Sequence, residues 1–331
     1  MILIISGLPG SGKTVMAMKW LLESPCPRVQ QRIFCNECGY GRSEALCSDD
    51  EDQIGVPHIP RGKRVRINYD DLRDELFGPE WVFNRRDEGI MKQVALERAE
   101  QAVHNGRDAV IDNTNLTEKA RQPWIDLAKR LNVPFELMDI DTPVAECVRR
   151  DSWRVGKDHV GRARIERMAL FTGWIDWSDT AIYPRDFIIV DMDGTLADCS
   201  ARRAMAFTPE KKDWDLFYQG VEHDPPIVPI RQLLWELCRN RDIIVVSGRP
   251  IDKAGKATED WLRTHLNPEM PIKHLFMRNS GDFRKDYVIK QEILDLLPKD
   301  RIRYVLDDRD QVVEMWRKNG LTCLQVADGR F

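Results

Sequence analysis

The sequence predicts an α/β protein built as two parallel-sheet units, and three observations carry that expectation. Apolar strand-like runs alternate with amphipathic helical stretches, the pattern that lays helices against a parallel sheet. The run Ile2–Ile5 feeds directly into Gly7-Leu8-Pro9-Gly10-Ser11-Gly12-Lys13-Thr14, a glycine-rich phosphate loop that opens a helix. A second alternation starts afresh at Phe187-Ile188-Ile189-Val190 and runs straight into Asp191-Met192-Asp193-Gly194-Thr195-Leu196.

Each element follows in order. After the first strand, Val15 to Leu22 reads as a helix, and a polar, Cys-bearing insertion occupies about 24–63. Val65 to Ile67 resumes as a strand, and Asp71 to Leu76 starts a helix. Arg86 to His104 has helical spacing, with Ile90, Val94, Ala95, Ala99, Ala102 and Val103 on its apolar side. Asp108 to Asp112 is a buried strand closed by Asn113-Thr114-Asn115. The helix Glu118–Leu131, the strand Phe135–Ile140, the helix Val144–Trp153 and a helix within Asp158–Phe171 complete a first domain, 1–172. Residues 173–186 read as a linker to a second domain, 187–331. There the expected strands are Phe187–Val190, Ile243–Val246, His274–Met277, Tyr304–Leu306 and Thr322–Gln325. The helices lie near Arg231–Cys238, before His265, and over Tyr287–Leu297 and Gln311–Asn319, with Gly320 placed to stop the last one.

A chain of 331 residues is long enough for two cores, and its 31% charged residues are ordinary for a globular protein. A net charge of −4 gives no global attraction to nucleic acid, so any such binding needs a local basic surface. There is no basic leader, cleavage site or long apolar stretch; no signal peptide or membrane span is expected, and the cytoplasm is the expected location. Four cysteines, Cys147, Cys199, Cys238 and Cys323, are scattered. Cys26, Cys35, Cys38 and Cys47 cluster around a Cys-x-x-Cys, and two readings stay open: structural zinc, or reduced thiols in a surface insertion.

In the first half, Gly10, Ser11 and Gly12 would turn backbone N–H groups toward phosphate. Lys13 would meet the terminal phosphates of ATP, and Thr14 would meet magnesium or phosphate. The loop alone does not separate kinases from transport or assembly ATPases. Asp70, at the tip of the second strand, suits proton removal from a phosphoryl acceptor, and Arg73, one turn on, suits an acceptor phosphate. The plainer alternative makes Asp70 or Asp71 a helix cap. Asp112 ends a buried strand, with Asn113, Thr114 and Asn115 beside it to cap a helix or bind substrate. Arg149, Arg150 and Arg154 could stabilise charge on a transferring phosphate or form a basic surface face.

In the second half, Asp191 emerges from a strand as the nucleophile of an aspartyl-phosphate phosphatase, and Asp193 serves as its acid and base. Ser247-Gly248-Arg249, ending the strand Ile243–Val246, would hold the phosphoryl group. Lys290 would neutralise charge, and Asp307 and Asp308 would bind Mg2+ alongside Asp191.

The chain resembles the phage-type bifunctional polynucleotide 5′-kinase/3′-phosphatase family along nearly its whole length. The resemblance rests on GLPGSGKT, INYDDLRDEL, the EGI run at Glu88, IDNTNL, VRRDSWR, VDMDGTLAD, VVSGR, GDFRKDYVIKQEI and the C-terminal block LDDRDQVVEMWRKNGLTCLQVADGRF. It implies a P-loop kinase domain followed by a haloacid dehalogenase-type phosphatase domain, acting on RNA or DNA ends for a ligase to seal. It further implies Asp70 as kinase base, Arg73 and Thr114 (with Asn115 beside it) on the acceptor, and Arg150 and Arg154 on the donor. Asp191, Asp193, Ser247, Gly248, Arg249, Lys290, Asp307 and Asp308 fall on its phosphatase motifs, with Asp193 counted among the Mg2+ residues. A homo-oligomer, no membrane partner and a host cytoplasm, if phage-encoded, complete that expectation. Two departures stand out: Tyr69 replaces an arginine beside the base, and the 24–63 insertion has no counterpart in compact members. Two other readings remain: a nucleoside or nucleotide kinase fused to a nucleotidase, and a non-transferase P-loop assembly module fused to a phosphatase.

Overall fold

Parallel strands build both sheets. The computed structural model describes residues 1–22, 64–208, 210–266 and 268–329; the expected 24–63 insertion and the cysteines Cys26, Cys35, Cys38 and Cys47 therefore lie outside the described residues. Packing divides the chain into two units, Met1–Cys147 and Val148–Phe331.

The first unit contains β1 (Ile2–Ser6), α1 (Lys13–Leu22), β2 (Arg64–Ile67), α2 (Tyr69–Phe77), α3 (Arg85–His104), β3 (Asp108–Asp112), α4 (Glu118–Arg130) and β4 (Phe135–Asp139). Its sheet has the order β2-β3-β1-β4, every pairing parallel. Alternate residues of β1 serve opposite layers: Ile2 and Ile4 pack with Met91, Ala95 and Trp124, while Leu3 and Ile5 pack with Ala17 and Val110. The core stripe of α3 is Met91, Ala95, Ala99 and Ala102, and the expected Ile90 is exposed. The expected Ala95, Ala99 and Ala102 are all in the stripe, Val94 and Val103 flank it, and Met91 takes the place of Ile90 at its N-terminal end.

Helix α5 (Val144–Asp151) straddles the division. The second unit continues with α6 (Arg162–Phe171), β5 (Asp186–Val190), α7 (Ser200–Ala206), α8 (Trp214–Phe217), α9 (Val228–Leu237), β6 (Arg241–Pro250), α10 (Ile251–His265), β7 (Ile272–Arg278), α11 (Asp286–Leu294), β8 (Ile302–Asp307), α12 (Asp310–Lys318) and β9 (Cys323–Gln325). The sheet order is β7-β6-β5-β8-β9, again all parallel. Strand β7 is an edge, and α6 lies along it. Arg162 donates to the carbonyls of Ile272 and Lys273, Arg167 donates to that of Met277, and Glu166 accepts from the Leu275 N–H at 2.6 Å. Side chains of a helix thus occupy backbone groups that a further strand would otherwise pair.

Three local expectations change. Ser247-Gly248-Arg249 lies inside β6 rather than beyond it, because the strand continues past an irregularity in its pairing with β7. Residues 173–186 include buried Ile175 and Tyr183; the latter donates to or accepts from His274 at 2.9 Å, within an aromatic group that includes Trp177 and Phe187. Helices α7 and α8, between Asp193 and α9, form a small cap that the sequence pattern does not reveal.

Candidate active sites

Because strands in each sheet are parallel, all their C-terminal ends share one edge, where open α/β sheets gather functional groups. In the first unit that edge carries the glycine loop after β1, Asn68 after β2 and Asp112 at the end of β3. Gly10 and Gly12 have φ of 82° and 100°, the left-handed region that a side chain disfavours. A Cβ on Gly10 would also collide with the carbonyl of Cys147. The loop thus presents backbone at the N-terminus of α1, a donor set that fits a phosphate. Lys13 Nζ donates to the carbonyl of Leu8 at 2.8 Å, folding the cation back over the loop.

Asn68 caps α2, its side-chain oxygen accepting from the N–H groups of Asp70 and Asp71 at 2.9 and 3.1 Å. This excludes the expectation that Asp70 or Asp71 is the cap. Asp70 is 86% exposed and its carboxylate faces Arg73 at 2.5 Å. Arg73 is also gripped by Glu88 through two bonds of 3.1 Å. Asp112 is buried and accepts from Arg66 at 2.7 Å, while its second oxygen, Oδ1, has no partner among the described residues. Thr114 is exposed, but Asn115 is buried at φ 43° and donates to the carbonyl of Ile5 at 2.8 Å. The expected substrate role of Asn115 is therefore corrected: its amide ties the turn after β3 to β1. Tyr69, at the departure noted above, packs on Trp124, and burial pushes its hydroxyl up to about 12.

Arg150 and Arg154 belong to the second unit, in a segment organised by Asp151. That buried carboxylate accepts from the N–H groups of Val160 and Gly161 and lies 3.7 Å from Arg154. Sequence reasoning passed over Asp151, since no motif marks it.

The second unit's strand ends converge more tightly. Asp191, after β5, and Asp307 and Asp308, at the end of β8, place carboxylate oxygens within 4.8 Å of one another, all buried. Lys290 from α11 reaches both Asp191 and Asp307 at 2.8 Å. Burial holds the Asp191 carboxyl well above its usual range, with Asp307 and Asp308 adding and Lys290 opposing. Burial likewise pushes Asp308 up to about 6, reinforced by Asp307. Burial alone would neutralise the Lys290 amine, but Asp191, Asp307 and Asp286 outweigh it and keep it charged. A buried oxygen of Asp308, Oδ2, has no hydrogen-bond partner among the described residues, and three carboxylates with one lysine leave negative charge in excess. This donor set fits a hard divalent cation. Gly194, at φ 82°, is required here because a Cβ would strike the Asp308 carboxylate.

Asp193 departs from the expected metal set. Its carboxylate turns to Arg249, at 2.6 and 2.9 Å, and to Arg202, at 2.8 Å. Burial would raise its pKa, but the two guanidinium groups outweigh burial and hold it at about 2. The expected phosphate-holding role of Arg249 is also corrected. Its side chain is fully buried, bonded to Asp193 and to Thr258 at 3.0 Å, because the extension of β6 turns it under the site. Ser247 is buried with its oxygen accepting from the Arg249 N–H, and Gly248 gives its carbonyl to Arg278 at 2.7 Å. A Cβ on Gly248 would collide with Asp286.

Sequence reasoning missed Arg202 and Asp224, which pair with one another and complete the Asp193–Arg249 network. It also gave no role to Asp286, which lies 3.5 Å from Lys290 and one helical turn before it, a spacing that was readable. A cavity lined by Asp191, Asp193, Gly248, Arg278, Asp286 and Arg309 opens under the cap. A larger but shallow groove, about 490 Å³, runs along α12 and holds none of the strand-end carboxylates.

Comparison with known proteins follows the same division of chemistry. The AAA domain family matches residues 2–171, and the family described as the polynucleotide kinase PNKP phosphatase domain matches residues 185–331. A putative bifunctional polynucleotide kinase/RNA ligase of Autographa californica nuclear polyhedrosis virus is 26% identical over 277 residues, 76% of this chain. The chain spans 38% of the length of that relative. Among solved structures, a chain of the Pnkp1/Rnl/Hen1 RNA repair complex is 22% identical at a TM-score of 0.37, covering all of this chain and 96% of that one. A haloacid dehalogenase-like hydrolase of Streptococcus pneumoniae is 15% identical at 0.32, covering 43% of this chain and 84% of that one.

Proposed function

The chain belongs to the AAA domain family and continues into a polynucleotide kinase phosphatase domain, and from that premise we propose that it heals nucleic-acid ends, phosphorylating 5′-hydroxyls from ATP and removing 3′-phosphates. The observation that carries the reading is the buried group Asp191, Asp307, Asp308 and Lys290 at one sheet edge, with a phosphate loop at the edge of a separate sheet. Healed ends are the substrates of a ligase, the partner class we propose. No helix among the described residues is long and apolar enough to cross a membrane; the cytoplasm is our proposed location.

For the kinase, the backbone of Gly10 to Gly12 and Lys13 hold the donor phosphates. Asp70 takes the proton as the acceptor oxygen bonds to the γ-phosphorus and the bond to the bridging oxygen breaks. Asp70 must first leave Arg73, which an acceptor phosphate arriving at that guanidinium would achieve by competition. Arg150 and Arg154 are proposed to meet the donor.

For the phosphatase, Asp191 attacks phosphorus, the bond to the 3′-oxygen breaks, and an aspartyl phosphate forms. Asp193 gives that oxygen its proton and then takes one from the water that cleaves the acyl phosphate. In the resting site the two arginines oppose protonation of Asp193; an incoming phosphate brings negative charge and raises its proton affinity. Lys290 opposes the rise that burial and the neighbouring carboxylates impose on Asp191 and places a positive charge beside the phosphoryl group. When bound, Mg2+ would be held by Asp191, Asp307 and Asp308 and would offset charge on the phosphoryl oxygens.

An oligonucleotide bearing a 5′-hydroxyl and a 3′-phosphate tests both activities at once. Asp191→Asn should abolish phosphate release while label transfer from ATP persists, and Lys13→Ala should do the reverse. Label transfer to a free nucleoside but not to the oligonucleotide would favour a salvage enzyme instead.

A further inference from the structure

Four aromatic side chains of the cap line the same cavity as Asp191: Phe207, Trp214, Phe217 and Tyr218. Phe207 and Phe217 stack at 5.0 Å, Trp214 meets Phe207 edge-on at 4.8 Å, and Trp214 lies nearly parallel to Tyr218 at 6.1 Å. Only Phe217 is buried; Trp214 remains 43% exposed although it belongs to a helix of four residues with its own aromatic neighbours. The exposed ring lines a cavity that Asp191 and Asp193 line as well. Arg203, Lys212 and Arg309 line the same cavity and offer the cations a strand backbone would meet.

From this arrangement we propose that the cap is a stacking platform for the terminal nucleobase of the 3′-phosphorylated strand, with Trp214 as the exposed face. The inference rests on the phosphatase reading above and deepens it. A base and its 3′-phosphate are joined through one sugar, so a π-face beside the phosphate cavity orients the ester bond toward Asp191. Stacking itself needs only a π-face, so the platform takes all four bases.

The test pairs the protein with the substrate. Full-length protein and its Trp214→Ala and Trp214→Phe variants are assayed on a 3′-phosphorylated oligonucleotide, on the same strand with an abasic 3′-terminal residue, and on p-nitrophenyl phosphate. Removing the ring or removing the base should each lower kcat/KM by roughly tenfold or more. Combining the two should cost no more than either alone, the signature of two groups in contact. Trp214→Phe should recover most of the loss, and the four terminal bases should differ little. Equal loss from Trp214→Ala on normal and abasic ends, or no loss on either, overturns the platform while leaving the phosphatase reading intact. Hydrolysis of p-nitrophenyl phosphate by the unaltered protein, without release from either oligonucleotide, overturns the phosphatase reading itself.

Discussion

Arg249 shows how one residue's burial decides its role. A guanidinium that binds substrate phosphate can be removed at the expense of KM; one that neutralises a buried carboxylate and a half-buried one cannot be removed without consequence for folding. Arg249 is fully buried between Asp193 and Asp224, and stripping one partner from such a network costs about 3–5 kcal/mol. Arg249→Ala should therefore lower the unfolding free energy of the phosphatase unit, read from a urea titration, by several kcal/mol, and a normal urea midpoint with only a raised KM would return Arg249 to the substrate. Gly194 makes a second residue-scale prediction. Its φ of 82° and the Asp308 carboxylate beside its Cα mean that Gly194→Ala adds both strain and a collision, on the order of 1–3 kcal/mol. Phosphate release should fall at least tenfold while label transfer from ATP is kept.

At the scale of elements, α6 and β7 are joined by charge as well as shape. Glu166 is buried, and although burial alone would raise its pKa, Arg162, His274 and the Leu275 N–H lower it below the usual glutamate value. A depressed carboxyl contributes stability that is complete above its ordinary value of about 4.5 and lost as pH falls through the folded value. Melting temperature should thus drop more steeply below that pH for the unaltered protein than for Glu166→Gln, which has no proton to gain. Helix α2 depends on its cap: Asn68→Ala removes two accepted bonds and should cost about 1 kcal/mol, seen as an earlier thermal transition. The elements that sequence displayed well were those whose chemistry and periodicity coincide. Strand ends carrying Asp191, Asp307 and the glycine loop were legible because each follows an apolar run. Helices α7 and α8, of seven and four residues, are too short for a periodic signal, so the cap and its aromatics were invisible. Asn115 misled for a different reason: its neighbours suggest a binding turn, and only tertiary packing shows its amide spent on the Ile5 carbonyl.

Across the whole molecule, family resemblance and packing divide the chain at different places. The match to the AAA domain runs to residue 171, while α6, Arg162–Phe171, packs in the Val148–Phe331 unit. A fragment beginning at residue 185 carries every phosphatase motif but lacks that helix; one beginning at residue 148 keeps it. The longer fragment should release 3′-phosphate and melt cooperatively. The shorter should melt several degrees earlier, a difference that calorimetry would register, and equal melting would show α6 to be dispensable.

That loss would do more than loosen a core. With Arg162, Glu166 and Arg167 gone, the carbonyls of Ile272, Lys273 and Met277 and the amide of Leu275 become vacant docking points along a strand rim. A trimmed molecule would then recruit copies of itself, rim to rim, so the helix doubles as insulation against self-assembly.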